Sequence, residues 1–113
     1  MTRDAKVIIH FKDLKQNDTL TETLENRCHR LAEEFPETTR YEITIGLDKN
    51  EVIAHAHVRG KSTAMAARAT APDQRQASEA ALDKLEKELR KDHDKRIFLA
   101  RREAKKNPAK RQE

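Results

Sequence analysis

Apolar and polar residues alternate in four short segments of the chain, which is the pattern of β-strands with one buried face. Turn-forming residues at Asp48-Lys49-Asn50 and at Gly60-Lys61-Ser62 separate the second, third and fourth segments. The fourth segment is the weakest, because its apolar positions are mostly alanine and alanine is a poor strand former. The predicted strands are residues 6–12, 41–47, 52–59 and 65–69.

Between the first two strands, apolar residues recur every three or four positions, as on an amphipathic helix. Thr19 with Glu22 three residues later forms a capping-box pattern, so we predict that this helix begins at Thr19. Pro36 is expected to end it. The apolar stripe contains Cys28, the only cysteine, for which a small buried residue is the predicted role. The full stripe is Leu20, Leu24, Cys28, Leu31 and Phe35.

The segment after the fourth strand predicts a second, longer helix with two distinct faces. Asp73 and Gln76 form a capping signal at its start, and Asn107-Pro108 is expected to end it. Leucines share a stripe that should be buried, whereas lysines recur at the same spacing but are rotated by roughly 200°, towards solvent. The buried stripe contains Leu82, Leu85 and Leu89, and the outward row contains Lys84, Lys87 and Lys91.

The order β-α-β-β-β-α predicts an α+β fold in which both helices pack on one face of a four-stranded sheet and the other face stays open. At 113 residues the chain fits one domain, which we expect to span residues 1–96. Residues 97–113 are predicted to be a basic tail, because eight Lys or Arg and only two Glu occur from Lys95 onwards. The open face is predicted to carry Lys6, His10, Lys12, Glu42, Thr44, His55, His57 and Arg59.

Composition and charge restrict the class of the protein. The net charge is +4 and the sequence pI is about 9.3, which suits either an anionic partner or a solvated basic surface. A single cysteine excludes an internal disulfide and a zinc site with several cysteines. No apolar run resembles a signal peptide or approaches the ~20 residues of a membrane span, so we expect a cytoplasmic protein with no membrane partner.

No catalytic constellation is evident, since the sequence lacks a P-loop, a nucleotide-binding glycine pattern and a nucleophile elbow. We therefore predict no enzymatic activity, no small-molecule substrate and no cofactor. His55 and His57 alternate on one strand face and offer a metal-binding alternative, with His10 or Glu42 as a third ligand. Binding of structured RNA fits better, because lysine rows contact phosphates and few aromatic residues are available for base stacking.

Each predicted helix contains a characteristic spacing. The first has Leu20-x3-Leu24-x2-Arg27-x2-Arg30-Leu31, and the second has Asp73-x3-Ala77-x6-Lys84-Leu85-Glu86-x2-Leu89-x-Lys91. Together with the order of elements, these spacings resemble the ribosome hibernation factors, also called the sigma-54 modulation family or ribosome-associated inhibitors. The resemblance covers about residues 5–95. Long members of that family carry an additional C-terminal dimerisation domain, so this chain is similar to a short form, and we expect a monomer off the ribosome.

The resemblance implies a protein that binds the small ribosomal subunit in the channel used by mRNA and tRNA and so blocks translation. It also implies that basic residues on both helices contact ribosomal RNA, with strand and loop residues as a second set. A general structured-RNA-binding module without ribosome preference remains the alternative. The first set is Arg27, Arg30, Lys84, Lys87, Arg90 and Lys91, and the second set is Arg59, Lys61 and Arg68.

Overall fold

The computed structural model describes the backbone of residues 5–61 and 63–111, and the side chains of residues 5–61, 63–95 and 97. The observed order of elements is β-α-β-β-β-α, so the predicted α+β fold is confirmed. Every predicted strand is present, including the alanine-rich fourth strand. The elements are β1 (Lys6–Lys12), α1 (Asp18–Glu34), β2 (Thr38–Asp48), β3 (Glu51–Gly60), β4 (Ala64–Ala71) and α2 (Gln74–Arg111).

The four strands form one mixed sheet in the order β1-β2-β3-β4. β1 and β2 are parallel and α1 connects them, because a tight turn cannot join two parallel neighbours. β2 and β3 are antiparallel, as are β3 and β4, and short turns connect them. β1 and β4 are therefore the edges of the sheet, and β2 and β3 lie at its centre.

The hydrophobic core lies between both helices and one face of the sheet, which confirms the predicted layer arrangement. The apolar stripes of α1 and α2 are buried, as their spacing predicts. Cys28 is fully buried and is a free thiol, so its predicted role in the core is confirmed. Burial raises the pKa of the Cys28 thiol to about 12, which leaves it protonated and unreactive near neutral pH.

α1 begins at Asp18, one residue before the predicted start, and its N-cap lies two residues before the predicted cap. Asn17 is the N-cap, and its Oδ1 accepts a hydrogen bond from the Leu20 backbone N at 3.0 Å. The prediction that Thr19 and Glu22 form the cap was wrong, because Thr19 already lies inside the first turn. Asparagine and threonine are both favoured N-caps, so two candidates two residues apart compete, and the observed helix uses the earlier one.

The second helix begins as predicted and extends further than predicted. Asp73 Oδ1 accepts from the Gln76 backbone N at 2.8 Å, and Asp73 Oδ2 accepts from the Gln76 side chain at 3.2 Å. The prediction that Asn107-Pro108 ends the helix was wrong, because α2 continues to Arg111. A proline inside a helix removes one backbone hydrogen bond and crowds the preceding turn, but the residues after it can still be helical. The predicted division of the chain after residue 96 falls inside this helix and stays a prediction. No helix among the described residues is long and apolar enough to cross a membrane.

Candidate nucleic-acid interface

Two of the predicted RNA contacts, Arg27 and Arg90, lie between the helices and pair with carboxylates of the protein itself. Arg27 Nη2 lies 2.5 Å from Asp83 Oδ1 and 3.2 Å from Glu86 Oε1. Arg90 Nη1 lies 2.6 Å from Glu34 Oε2, and Arg90 Nη2 lies 2.8 Å from Glu86 Oε2. Glu86 therefore accepts from both arginines, and the five side chains form a continuous interhelical network.

The electrostatics of the interhelical network favour the charged forms of Arg27, Glu86 and Arg90. Partial burial acts to lower the pKa of Arg27, but the hydrogen bonds and charges of Asp83 and Glu86 outweigh it and raise that pKa above its ordinary value. Burial acts to raise the pKa of Glu86, and the hydrogen bonds from Arg90 and Arg27 outweigh it and lower that pKa. With three carboxylates and two guanidinium groups, the network has no surplus positive charge to offer a phosphate.

Arg90 is further positioned by an aromatic residue at the end of α1. Its guanidinium carbon lies 5.6 Å from the centre of the buried Phe35 ring, within the range of a cation–π contact. The edge of the same ring packs against His93 in a T-shaped arrangement, with ring centres 5.4 Å apart. His93 Nδ1 in turn lies 3.2 Å from Glu37 Oε2. These contacts hold the end of α1 against α2 beside the interhelical network.

The other predicted cations of α2 form an exposed ridge on the side of the helix nearer β4. Lys87 and Lys91 are exposed, and within the described part of the chain neither forms an ion pair. Lys84 is also exposed, but its Nζ donates a hydrogen bond to the Arg68 backbone oxygen at 3.0 Å. This bond satisfies a carbonyl of edge strand β4 and fixes the lysine over it. We call Lys84, Lys87 and Lys91 the lysine ridge.

A groove of about 520 Å³ separates the lysine ridge from β4 and brings together three residues of the predicted set. Lys84 and Lys87 line it from α2, and Arg68 lines it from β4. Met65 and Ala67 contribute apolar surface, and Glu88 is the one carboxylate of the lining. The two lysines outnumber the single carboxylate, and this positive surplus suits an anionic ligand such as a phosphate group. Arg68 borders the groove at edge strand β4, where its backbone oxygen accepts from Lys84, but its register with His55 places its side chain on the opposite face of the sheet.

Arg59 and Lys61 lie beside a tight backbone contact at the end of β3. The Gly60 backbone N donates to the Thr63 oxygen at 2.8 Å, and the Lys61 backbone N donates to the Glu37 oxygen at 3.3 Å. A Cβ added at Gly60 would lie 1.9 Å from that Glu37 oxygen, so only glycine fits. The contact holds the turn after β3 against the start of β2 and thereby fixes the backbone that carries both cations.

The helical layer as a whole is not a basic surface. α1 carries five carboxylates and two arginines, and Arg30 is the arginine outside the interhelical network. Residues 74–95 of α2 carry six cations and six carboxylates. The predicted RNA contacts followed from the spacing of basic residues alone, and that spacing carries no information about the carboxylates on the same surfaces. Glu86 and Arg90, four positions apart, are the signal in the sequence that could have revealed the network.

The predicted histidine residues do not assemble a metal site. β2 lies between β1 and β3, so His10 pairs in register with Thr44, and Thr44 pairs with His55 on its other side. His57 is opposite Glu42, which is a single carboxylate neighbour. Among the residues that the structure describes, no three His, Cys, Asp or Glu side chains are grouped closely enough to hold a metal ion. The metal-binding alternative therefore has no support from the geometry.

The chain is thus a small α+β domain with exposed cations along α2. A family model described as "Sigma 54 modulation protein / S30EA ribosomal protein" matches residues 7–97, and the chain belongs to this family. This is a family of non-enzymatic modulators that bind ribosomes, which confirms the resemblance seen in the two helical spacings and the prediction that the chain is not an enzyme. A comparison with curated proteins found no match.

Two solved structures resemble the chain in fold. A ribosomal subunit interface protein from Coxiella burnetii has a TM-score of 0.71 and 21% sequence identity, and the match covers 79% of this chain and 98% of that protein. The N-terminal domain of Protein Y from Thermus thermophilus has a TM-score of 0.65 and 17% identity, and the match covers 78% of this chain and 97% of that domain. At these identities the likeness shows a shared fold.

Proposed function

We propose that the chain is a ribosome hibernation factor that binds the small ribosomal subunit in the channel used by mRNA and tRNA and thereby inhibits translation. The observation that carries the proposal is membership of a ribosome-binding family over residues 7–97. The exposed lysine ridge supports it, because unpaired ammonium groups at helical spacing can contact a folded RNA backbone without reading its sequence. The proposed place of action is the cytoplasm, and the proposed free form is a monomer.

Within this proposal, the predicted RNA contacts divide into two groups according to their observed partners. The residues of the predicted set that form no ion pair within the described part of the chain are the proposed contacts with ribosomal RNA phosphates. Arg27 and Arg90 instead hold α1 and α2 in register through the interhelical network, and they would reach RNA only by giving up their carboxylate partners. The proposed contacts are Arg30, Arg59, Lys61, Arg68, Lys84, Lys87 and Lys91.

Co-sedimentation of the protein with purified small subunits over a range of salt concentrations tests the proposal. We expect binding that weakens steeply as salt rises, because each phosphate contact contributes roughly 0.7–0.9 to the slope of log K against log salt. Replacing Lys87 and Lys91 with alanine should lower that slope by roughly 1.5–2 and leave the melting temperature almost unchanged. Lys84 is left intact, since it also bonds to β4.

A matched control replaces two exposed lysines outside the helices, Lys15 and Lys49, with alanine, which changes the net charge equally. This variant should bind like the parent protein. Ribosome profiles on a sucrose gradient, with and without the parent protein, then report whether it occupies small subunits. Binding without salt dependence contradicts the proposal, and equal affinity for a plain RNA duplex contradicts the ribosome preference.

A further inference from the structure

The face of the sheet opposite the helices carries a surplus of positive charge. Four outward-facing register rows cross the sheet, and they begin at Lys6, Ile8, His10 and Lys12 of β1. Their outward positions hold five lysine or arginine residues, three histidines and one carboxylate, Glu42. We call this face the sheet surface. Its charged and histidine residues are Lys6, Lys12, Arg40, Arg59, Arg68, His10, His55, His57 and Glu42.

The first row places three cations directly beside one another. Lys6 pairs in register with Arg40, and Arg40 pairs with Arg59. Because neighbouring strands lie about 4.8 Å apart, the three side chains start within about 10 Å of each other. Like charges in opposite positions on neighbouring strands destabilise a sheet. A row of this kind therefore lowers the folding stability of the protein. Binding of an anion reduces the repulsion between the three cations.

Internal carboxylates compensate this row only weakly. Glu42 Oε2 lies 3.9 Å from Arg40 Nη2, at the limit of an ion pair, with both side chains more than one-third exposed. Within the described residues, Lys6 and Arg59 form no ion pair, in contrast to Arg27 and Arg90 in the interhelical network. The positive charge of the row is therefore available to an external partner.

The charge of the sheet surface differs between the two ends of the strands. Its cationic row lies at the end where β1 begins, and the turn at the other end brings the carboxylates Asp48 and Glu51 into register. The outward aliphatic residues Ile8 and Ile53 offer no ring on which a base could stack. Phosphate and sugar contacts, made by lysine, arginine, histidine and threonine side chains, are the chemistry that this surface supports.

We propose that the sheet surface is a second RNA-binding surface, anchored by phosphate contacts from Lys6, Arg40 and Arg59. It lies on the face of the sheet opposite α1 and α2, so it engages a different RNA segment from the lysine ridge. That this RNA is ribosomal rests on the proposed function. That the surface recognises RNA phosphates rests on the charge of the sheet itself. Lys6 and Arg40 are the new contacts that this assigns.

The test is the variant Lys6→Gln with Arg59→Gln, compared with the control Lys15→Gln with Lys49→Gln, which loses the same two charges. Both are measured in the full chain against purified small subunits and against a plain RNA duplex. We expect the sheet variant to raise Kd at least about tenfold and to lower the salt slope by roughly 1.5–2, and the control to match the parent protein. Combination with the Lys87→Ala and Lys91→Ala changes should multiply the two fold-changes, because distant sites add in free energy.

A charge-preserving variant, Lys6→Arg with Arg59→Lys, guards against misfolding and should retain parental affinity. If the sheet variant binds both probes as the control does, the inference is wrong. If the parent binds the duplex but not the small subunit, and the sheet variant loses duplex binding, the inference holds and the proposed function fails. Binding to neither probe overturns both. Equal affinity for polyglutamate at the same salt concentration, lost in the sheet variant, overturns RNA as the partner.

Discussion

Arg27 on α1 reaches Asp83 on α2, with Nη2 of the guanidinium 2.5 Å from Oδ1 of the carboxylate. The arginine side chain is 22% exposed and the aspartate 64%, so the pair lies at the rim of the contact between the helices. The pair belongs to the interhelical network, in which Arg27 also pairs with Glu86 and Arg90 pairs with Glu34 across the two helices. The pair therefore couples the position of one candidate RNA-binding element to that of the other.

A double-mutant cycle on Arg27→Gln and Asp83→Asn should reveal this coupling. We expect each single change to destabilise the protein, and the coupling free energy to be about 0.5–1 kcal/mol, the upper range for pairs that remain partly solvated. Urea unfolding at low salt provides the measurement, and the coupling should shrink in 1 M salt. If Arg27→Gln leaves stability unchanged but weakens subunit binding as strongly as loss of Lys87 and Lys91, Arg27 is an RNA contact instead.

Local periodicity was sufficient to predict the elements and the buried positions. The stripes that contain Cys28 and Leu85 could be identified from spacing, because a helix in a two-layer fold must bury one face. The cap at Asp73 was predictable for a similar reason, since both partners lie within four residues. Features that depend on a few neighbouring residues were thus available from the sequence alone.

Features that depend on which helices and strands become neighbours could not be predicted from the sequence in this way. The partners of Arg27 lie more than fifty residues further along the chain, and only the docking of α1 beside α2 brings them together. Arg40 was missed because strand two was predicted to begin at Tyr41, whereas β2 starts at Thr38 with an irregular register before Arg40. The cationic row of the sheet surface becomes visible only with the strand register.

The lowered pKa of Glu86 predicts a loss of stability in acid. Burial acts to raise this pKa, but hydrogen bonds from Arg90 and Arg27 lower it below 4.5, the ordinary value. Between the two values the unfolded chain binds a proton that the folded chain does not, so stability rises with pH in that window. The contribution is present above about pH 4.5 and disappears as the pH falls through the lowered pKa.

The variant Glu86→Gln isolates this contribution. At pH 7 we expect it to be less stable than the parent by about 0.5–1 kcal/mol, because both arginines lose an ionised acceptor that is partly exposed. Stability curves of the two proteins should converge as the pH falls from about 4.5 through the lowered pKa of Glu86, where the parent carboxylate also becomes protonated. Unfolding free energies measured from pH 3 to pH 7 provide the comparison, and a constant difference over this range contradicts the prediction.

Cys28 should react with thiol reagents only after unfolding. Burial raises its pKa from 9.0 to about 12, which lowers the thiolate fraction at pH 8 by roughly a thousandfold. Alkylation in native buffer should therefore be slower than in urea by at least that factor, because steric protection adds to the protonation effect. The contribution of Cys28 to the free energy of unfolding has the opposite pH dependence to that of Glu86. It is complete below pH 9 and is lost as the pH rises towards 12. Equal labelling rates in the two solvents contradict the buried position.

Gly60 should be the glycine that the fold cannot replace. A Cβ at this position would lie 1.9 Å from the Glu37 backbone oxygen, and neither backbone segment can move without breaking the hydrogen bonds that close the turn. We expect Gly60→Ala to destabilise the protein by about 1–3 kcal/mol, the usual cost of inserting a methyl group into a filled space. Thermal unfolding measures the loss.

Gly46 provides the matched control for this substitution, because it also lies in a strand but has more room. The nearest atom to a Cβ there is the Lys12 backbone oxygen at 3.4 Å, so Gly46→Ala should change stability by less than ~1 kcal/mol. A Gly60→Ala protein as stable as Gly46→Ala contradicts the close contact. Because Arg59 and Lys61 flank the displaced backbone, Gly60→Ala should also weaken subunit binding at temperatures where the variant is still folded, and Gly46→Ala should not.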